Sequence, residues 1–278
     1  MIVGIGNDVL EISRLNLKLV ERILTNEEIQ NAKKLTQEYL AGRFVLKESY
    51  FKALGTGING NSFKDISFLN KKDGSLYAKL SKYVKPKYGT YNFMHITLSH
   101  DVFAVGNVIL EKNVGNVYIA LGTNLGNRHQ NIKKALEYLK EVGNIVKVSS
   151  IIETKAYGKT DQPDFLNCVV ELDTNIPPLP LLKKLLEIEH TMGRIRTEKW
   201  GPRIIDLDIL FYGNLVLNLS EKSKVSQSTS EEVHEFNLTV PHYDFENREF
   251  FVLPMTEIAP YFVHPISGLT MEDYSKNF

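Results

Sequence analysis

The chain has 278 residues, 43% of them hydrophobic and 24% charged, with 33 basic residues balancing 33 acidic ones. This length admits one large domain or two ordinary ones, and the composition is that of a globular chain. Zero net charge argues against a protein whose main task is gripping nucleic acid, and no uncharged apolar run approaches the roughly 18 residues of a membrane helix. The single cysteine, Cys168, rules out an intrachain disulfide framework. It lies in the apolar run Cys168-Val169-Val170 and reads as a packing residue rather than a nucleophile. The opening segment carries Asp8 and Glu11 where a secretion signal has a basic and then an apolar stretch. The cytoplasm is the expected compartment, with no membrane and no nucleic-acid partner.

Two blocks are expected, residues 1–113 and 114–278, each opening on a β-like segment that ends in Gly and Asn. In the first block, Ile2 to Asp8 reads as a strand. A helix is expected from about Thr36 to Leu54, with Leu40, Phe44, Phe51 and Leu54 at helical spacing and Gly55 as its stop. Strands at 91–99 and 102–110 flank His100-Asp101 as a hairpin. In the second block a strand at 117–122 precedes a helix near 127–142. Strands at 145–152 and 167–173, a helix at 179–192 and a strand at 205–212 complete β-α-β-β-α-β, the ferredoxin-like pattern. The fold class is therefore α+β. The polar, Ser-rich stretch from Leu219 to Asn237 reads as a flexible insertion, having too little apolar surface to offset the entropy of ordering.

The sharpest chemical signal is Arg203-Ile204-Ile205-Asp206-Leu207-Asp208-Ile209-Leu210-Phe211. Alternate strand residues share a face, so Asp206 and Asp208 point one way and Leu207 and Ile209 the other. Paired carboxylates repel unless a cation lies between them, and Mg²⁺ favours such oxygen ligands while sharing its other sites with water and phosphate. A solvated strand face that carries two acids is the alternative on spacing alone. Arg194, Arg196, Lys199 and Arg203 lie just upstream, with the only tryptophan, Trp200, among them. Guanidinium groups beside a metal-binding carboxylate pair are what phosphoryl transfer requires.

On these residues the second block resembles 6-hydroxymethyl-7,8-dihydropterin pyrophosphokinase, from about Val117 to Gly268. The resemblance rests on Asp161-Gln162-Pro163-Asp164-Phe165-Leu166-Asn167, on Gly193 to Asp208, and on Leu238-Thr239-Val240-Pro241-His242-Tyr243. It implies that Asp206 and Asp208 hold Mg²⁺ at the ATP phosphates. Arg194 and Arg203 would act on the moving pyrophosphoryl group, and Glu189, Arg196, His242, Tyr243 and Arg248 would bind nucleotide. Phe165 and Phe250 would sandwich the pterin, with Thr154, Asn167 and Trp200 completing the substrate site. The family usually has proline where Ala156 stands, and arginine also occurs in it where this chain has Lys199. Both differences are expected to modulate loop motion and affinity.

In the first block Gly55-Thr56-Gly57-Ile58-Asn59-Gly60 matches GxGxxG, but it follows a helix where a dinucleotide fold needs a strand. A better constellation is Asp8 with Glu48, near Arg43, Lys47 and Lys52, with Arg43 and Lys47 on one helix face. The block resembles holo-acyl-carrier-protein synthase over about Met1 to Glu111. The motifs are Gly4-Ile5-Gly6-Asn7-Asp8, Phe44 to Ser49 with Lys52 to Gly57, and His95 to His100. The resemblance implies a 4′-phosphopantetheinyl-transferase-like α+β domain that moves 4′-phosphopantetheine from coenzyme A to a serine of apo acyl carrier protein. Asp8 and Glu48 would bind Mg²⁺, and Arg43, Lys47 and Lys52 the coenzyme A phosphates. His100 is the candidate general base, with a turn histidine of no role as its alternative. Arg14 and Arg22 would meet the acidic carrier protein. A homotrimer through this block is implied. Other readings are a bifunctional-looking chain with one inactive half, or a ferredoxin-like nucleic-acid binder.

Overall fold

Backbone propensities and caps fix the main elements. Thr36 accepts a hydrogen bond from the Tyr39 N–H, and Gly55 closes the helix between them in the left-handed region at φ 70°. In this computed structural model every residue is described except 159–160, 195–200 and 228–229, with backbone alone for 223–227 and 230–234. In chain order the elements begin with β1 (Ile2–Glu11), α1 (Val20–Ile23), α2 (Asn26–Asn31), α3 (Gln37–Leu54), β2 (Ile66–Asn70) and β3 (Leu76–Leu80). Next come β4 (Phe93–His100), β5 (Phe103–Glu111), β6 (Val117–Thr123), α4 (Arg128–Leu139), β7 (Asn144–Val148) and β8 (Ile152–Thr154). The last are β9 (Phe165–Asp173), α5 (Pro178–Thr191), β10 (Asp206–Tyr212), β11 (Val216–Gln227), β12 (Ser230–Val240), α6 (Glu249–Ile258) and α7 (Met271–Ser275). None of the described helices is long and apolar enough to cross a membrane.

The chain divides into two compact units. The first comprises Met1–Asn113, Asn214–Asn237 and Pro265–Ser267; the second comprises Val114–Gly213, Leu238–His264 and Gly268–Phe278.

In the first unit β1, β5 and β4 form an antiparallel sheet in the order β1-β5-β4, and α3 lies across it. Glycine makes that approach possible. A Cβ on Gly6 would stand 1.8 Å from the Ser49 carbonyl oxygen, and one on Gly4 2.1 Å from that of Ala53. On β5, a Cβ at Gly106 would meet the Val45 backbone at 3.0 Å. Leu40, Ala41 and Val45 of α3 then bury with Ile12, Leu24 and Ala104 in one apolar cluster. Asp8 follows Gly4 and Gly6 on the same face of β1, which sets its carboxylate beside the helix.

In the second unit the strand order is β10-β6-β9-β7, with antiparallel pairing throughout and β8 added on β9. The single run expected at 145–152 is two strands, because Ser149 leaves the ladder register to donate its N–H to the Val169 carbonyl. One face of the sheet packs on α4 and α5. On the other, Tyr118, Ala120, Val169 and Phe211 pack with Phe251, Val252 and Met255 of α6 and Tyr274 of α7. Cys168 is fully buried, and burial pushes its thiol up to about 12, which suits packing rather than nucleophilic attack.

One expectation is overturned. The polar stretch 219–237, expected as a flexible insertion, carries most of β11 and most of β12, in a sheet of order β12-β11-β3-β2. Val216 and Leu217 pair in parallel with Lys79 and Leu80. The distant β3 edge thus anchors the start of β11 just before the polar stretch, and within the stretch β11 lies next to β12; local polarity reveals neither.

Gly6→Ala should lower the stability of the first unit by about 2 kcal/mol or more, since its methyl would strike helix backbone rather than a movable side chain. Urea titration followed by hydrogen exchange of α3 amides measures this; an unchanged midpoint would contradict the close-packing account.

Candidate functional site

In the second unit, β-ladder register assembles the site. Asp206 lies opposite Gly122, and Gly122 opposite Asn167, so these three share a level and a face across β10, β6 and β9. Asp208 lies one level on, opposite Ala120. Gly122 keeps the floor open: a Cβ there would meet Asn167 Oδ1 at 3.0 Å. The resulting cleft is lined by Gly122, Thr154, Tyr157, Phe165, Asn167, Arg203, Asp206, Asp208, Arg248 and Phe250, among others. Asn167 Nδ2 donates to Thr154 Oγ1 at 2.8 Å, which fixes a polar edge beside the two phenylalanines.

The charges in the cleft are unevenly compensated. Asp206 accepts from Arg194 through one oxygen and from Arg203 through the other. Burial pushes its carboxyl up, but the two guanidiniums together outweigh burial and hold it below its ordinary value. Asp208 accepts no hydrogen bond and makes no ion pair among the described residues. Burial, followed by the charges of Asp206 and Glu189, raises its carboxyl to about 7. Glu189 is buried beneath this pair. It holds Arg194 Nη1 at 2.6 Å and accepts the Leu207 N–H at 2.8 Å, so it fastens the arginine to both α5 and β10. Glu189, expected to help bind nucleotide, here seats Arg194.

Aromatic rings line the opposite wall. The Arg203 guanidinium lies 5.6 Å from the Phe165 ring centre, and that of Arg248 lies 5.7 Å from Phe250 and 5.2 Å from Tyr157. Arg248 Nε is held by Asp244 at 2.8 Å. His242 stacks on the exposed Tyr243, with ring centres 4.6 Å apart. Its Nδ1 accepts the Asp244 N–H at 3.2 Å. Burial, reinforced by Arg248, lowers His242 to about 4, so it is neutral at ordinary pH and carries its proton on Nε2. Sequence reasoning missed Tyr157, which sits in a loop without periodicity, and Asn124. Asn124 Oδ1 accepts the Arg203 N–H at 2.8 Å, and its own N–H donates to the Arg203 carbonyl at 3.1 Å. Arg196 and Trp200 lie outside the described residues.

The first unit repeats the charge pattern. Lys52 Nζ pairs with Asp8 at 2.7 Å and donates to the Asn7 carbonyl at 3.0 Å. Glu48 has no hydrogen bond or ion pair among the described residues, and burial, then Asp8, raises its carboxyl while Lys52 opposes. Two expected phosphate ligands are not brought here. Lys47 is fully buried, its Nζ paired with Glu28 at 2.8 Å and donating to the Phe63 and Ile66 carbonyls at 2.5 and 2.7 Å. All three of its protons are spoken for. Burial lowers it to about 8 against the pull of Glu28. Arg43 is also buried, bonded to Asn70 Oδ1 and lying 4.3 Å from the Tyr39 ring centre. His100 lies in register with Ala104, and Ala104 with Leu10. That places it two strands from β1, about 10 Å across the sheet, and one level beyond Asp8. Within one chain it is not assembled with Asp8 and Glu48.

Among the described residues no third His, Cys, Asp or Glu joins either carboxylate pair in a cage. An uncompensated carboxylate beside a compensated one fits a hard cation that takes its remaining ligands from water and substrate oxygens.

The second half matches the family model for 7,8-dihydro-6-hydroxymethylpterin-pyrophosphokinase over residues 118–260. The first half matches the 4′-phosphopantetheinyl transferase superfamily over residues 4–102. The 2-amino-4-hydroxy-6-hydroxymethyldihydropteridine pyrophosphokinase of Haemophilus influenzae is 40% identical over 157 residues, which are 56% of this chain and 88% of that protein. The holo-[acyl-carrier-protein] synthase of Thermotoga maritima is 46% identical over 121 residues, 43% of this chain and 69% of that protein. A crystal structure of Thermotoga maritima holo-[acyl-carrier-protein] synthase aligns at 32% identity with a TM-score of 0.49, covering 78% of this chain and 99% of that one.

Asp208 also makes stability depend on pH. Its carboxyl keeps a proton up to about 7 when folded, well above the ordinary aspartate range of about 4. Ionisation in between disfavours the folded form, so this contribution is full below the unfolded value and is lost as pH rises through the folded one. In chelator, Asp208→Asn should raise the melting temperature by a few degrees at about pH 8 and by less near pH 4. A melting difference that does not grow with pH would contradict the assignment.

Proposed function

We propose, from the premise that this chain belongs both to the 4′-phosphopantetheinyl transferase superfamily and to the 7,8-dihydro-6-hydroxymethylpterin-pyrophosphokinases, a bifunctional transferase with one active site in each unit. The observation that carries the reading is the carboxylate pair of each unit, with one member neutralised by fixed cations and the other left bare. A division near residues 113 and 114 is supported by the two family matches, over 4–102 and 118–260, with 214–237 and 265–267 packed into the first unit. The ferredoxin-like reading of the second unit is supported by its strand order β10-β6-β9-β7 and by two helices on one face.

In the second unit the pterin ring lies between Phe165 and Phe250, with its polar edge at Thr154 and Asn167. Its hydroxymethyl oxygen loses its proton to solvent as it bonds to the β-phosphorus of ATP. The bond between that phosphorus and the α-phosphate oxygen breaks, and AMP leaves. Arg194, Arg203 and Arg248 take up charge on the moving pyrophosphoryl group, moving from Asp206 and Asp244 toward phosphate as substrate enters. Asp206 and Asp208 would hold Mg²⁺, which supplies charge neutralisation at the phosphates. Arg196, Trp200, His242 and Tyr243 complete the nucleotide and substrate contacts.

In the first unit a carrier-protein serine oxygen bonds to the phosphorus that bears pantetheine, and the coenzyme A pyrophosphate bond breaks to release the nucleotide. Lys52 is the cation at that site, and Asp8 with Glu48 would hold Mg²⁺. His100 remains the candidate acceptor of the serine proton; in a trimer a neighbouring subunit would supply it. The sheet face opposite α3 supports self-association, since Ile5, Val9 and Phe103 stand 64%, 59% and 50% exposed on it.

Asp206→Ala should reduce AMP formation from ATP and 6-hydroxymethyl-dihydropterin roughly a hundredfold or more and leave carrier-protein modification intact. Glu48→Ala should do the reverse; loss of both activities from either change would refute separate sites. Light scattering should give about three times the 31.7 kDa chain mass, and Val9→Lys should reduce it. A wild-type mass of one chain would remove the trimer.

A further inference from the structure

Residues 214–237 fall inside the stretch that matches the pyrophosphokinase, yet they are packed into the first unit. We infer that this segment is a structural part of the phosphopantetheinyl-transferase half, bracing one edge of each of its sheets, so that the first activity depends on chain carried by the second.

The contacts are those of a strand added to two edges. β4 is the outer strand of β1-β5-β4, and its free side needs backbone partners. Asn214 supplies them with its side chain: Oδ1 accepts the Met94 N–H at 2.7 Å, and Nδ2 donates to the Met94 carbonyl at 2.9 Å. Its own N–H donates to the Asn92 carbonyl at 3.0 Å. Asn92 is fully buried and repeats the device, since its Oδ1 accepts the Asn113 N–H at 2.8 Å and its Nδ2 donates to the Asn113 carbonyl at 3.2 Å. Two residues on, β11 pairs with β3, the neighbour of β2, through Val216 with Lys79 and Leu217 with Leu80.

Burial shows that this is packing and not a surface graze. Leu217 is fully buried, and Leu215, Val216 and Leu219 are 2%, 4% and 4% exposed. The turn that starts the segment is Gly213 at φ 59°, a left-handed conformation that suits glycine. β10, with Asp206 and Asp208, ends at Tyr212, directly before that turn. The chain that carries the carboxylate pair of one site thus runs straight into the brace on β4, which carries His100 of the other. A polar, Ser-rich sequence is tolerated beyond Leu219 because it continues a strand already anchored at 214–217.

The test uses the full chain. Asn214→Ala removes both side-chain bonds to Met94, and Asn214→Asp keeps the acceptor but loses the donor. Native-state hydrogen exchange should show peptides from β3 and β4 exchanging at least tenfold faster in Asn214→Ala and to an intermediate extent in Asn214→Asp, with β6 and β9 unchanged. Carrier-protein modification should fall in the same order while AMP formation stays within about twofold of wild type. The activity readout rests on the function proposed above; the exchange readout does not, so failure of one is distinguishable from failure of the other. A first unit that fails to fold in either variant, with the second intact, supports the inference. Unchanged exchange in β3 and β4, or acceleration confined to the second unit, overturns it.

Discussion

Two carboxylates held together with only one of them neutralised is the constraint on which both sites depend. In the second unit strand alternation forces Asp206 and Asp208 onto one face, and Arg194 with Arg203 satisfies only the first. In the first, Asp8 reaches Glu48 because Gly4 and Gly6 let α3 come down onto β1, and Lys52 satisfies only Asp8. Such an arrangement costs stability in the free protein. It is held in place by parts that do not yield: a sheet register, a helix packed on glycine, and Glu189 tying Arg194 to two elements. Strain of this kind is a feature of functional sites.

The arginines have a double task on this account. In the free chain they compensate Asp206; under the proposed function a phosphate substrate with a divalent cation would release them to the substrate. The stacking of guanidiniums near Phe165 and Phe250 places them at the rim of the same cleft that would hold a flat ring. Neutral His242, its Nδ1 held by a backbone N–H, is a hydrogen-bond donor rather than a second positive charge.

Much of this was legible in the chain. Period-two alternation placed Asp206 and Asp208 on one face, and Thr36 and Gly55 bounded α3 closely. What failed did so for tertiary reasons. Arg43 and Lys47 share a helix face, and sequence reads that face as a phosphate-binding cluster; the fold turns it inward. Glu28, which accepts from the Thr25 and Phe68 N–H groups, lies ready there for Lys47. A buried pair of that kind needs a partner nineteen positions away on another helix, and nothing local announces it. The stretch after Leu219 continues β11, whose first residues, Val216 and Leu217, pair with β3 from a distant part of the chain, and it neighbours β12; polarity shows neither the anchor nor the hairpin. His100 is expected in the hairpin turn and stands instead at the end of β4, and its distance from Asp8 depends on the order β1-β5-β4, which hairpin signals alone do not give.

The central claim is that each unit holds its own cation at a half-compensated carboxylate pair. Titration of the full chain with Mn²⁺, followed by electron paramagnetic resonance of the free ion, tests it most directly. Two classes of site are predicted, one lost in Glu48→Ala and the other in Asp208→Ala. A titration that neither substitution alters would contradict the account.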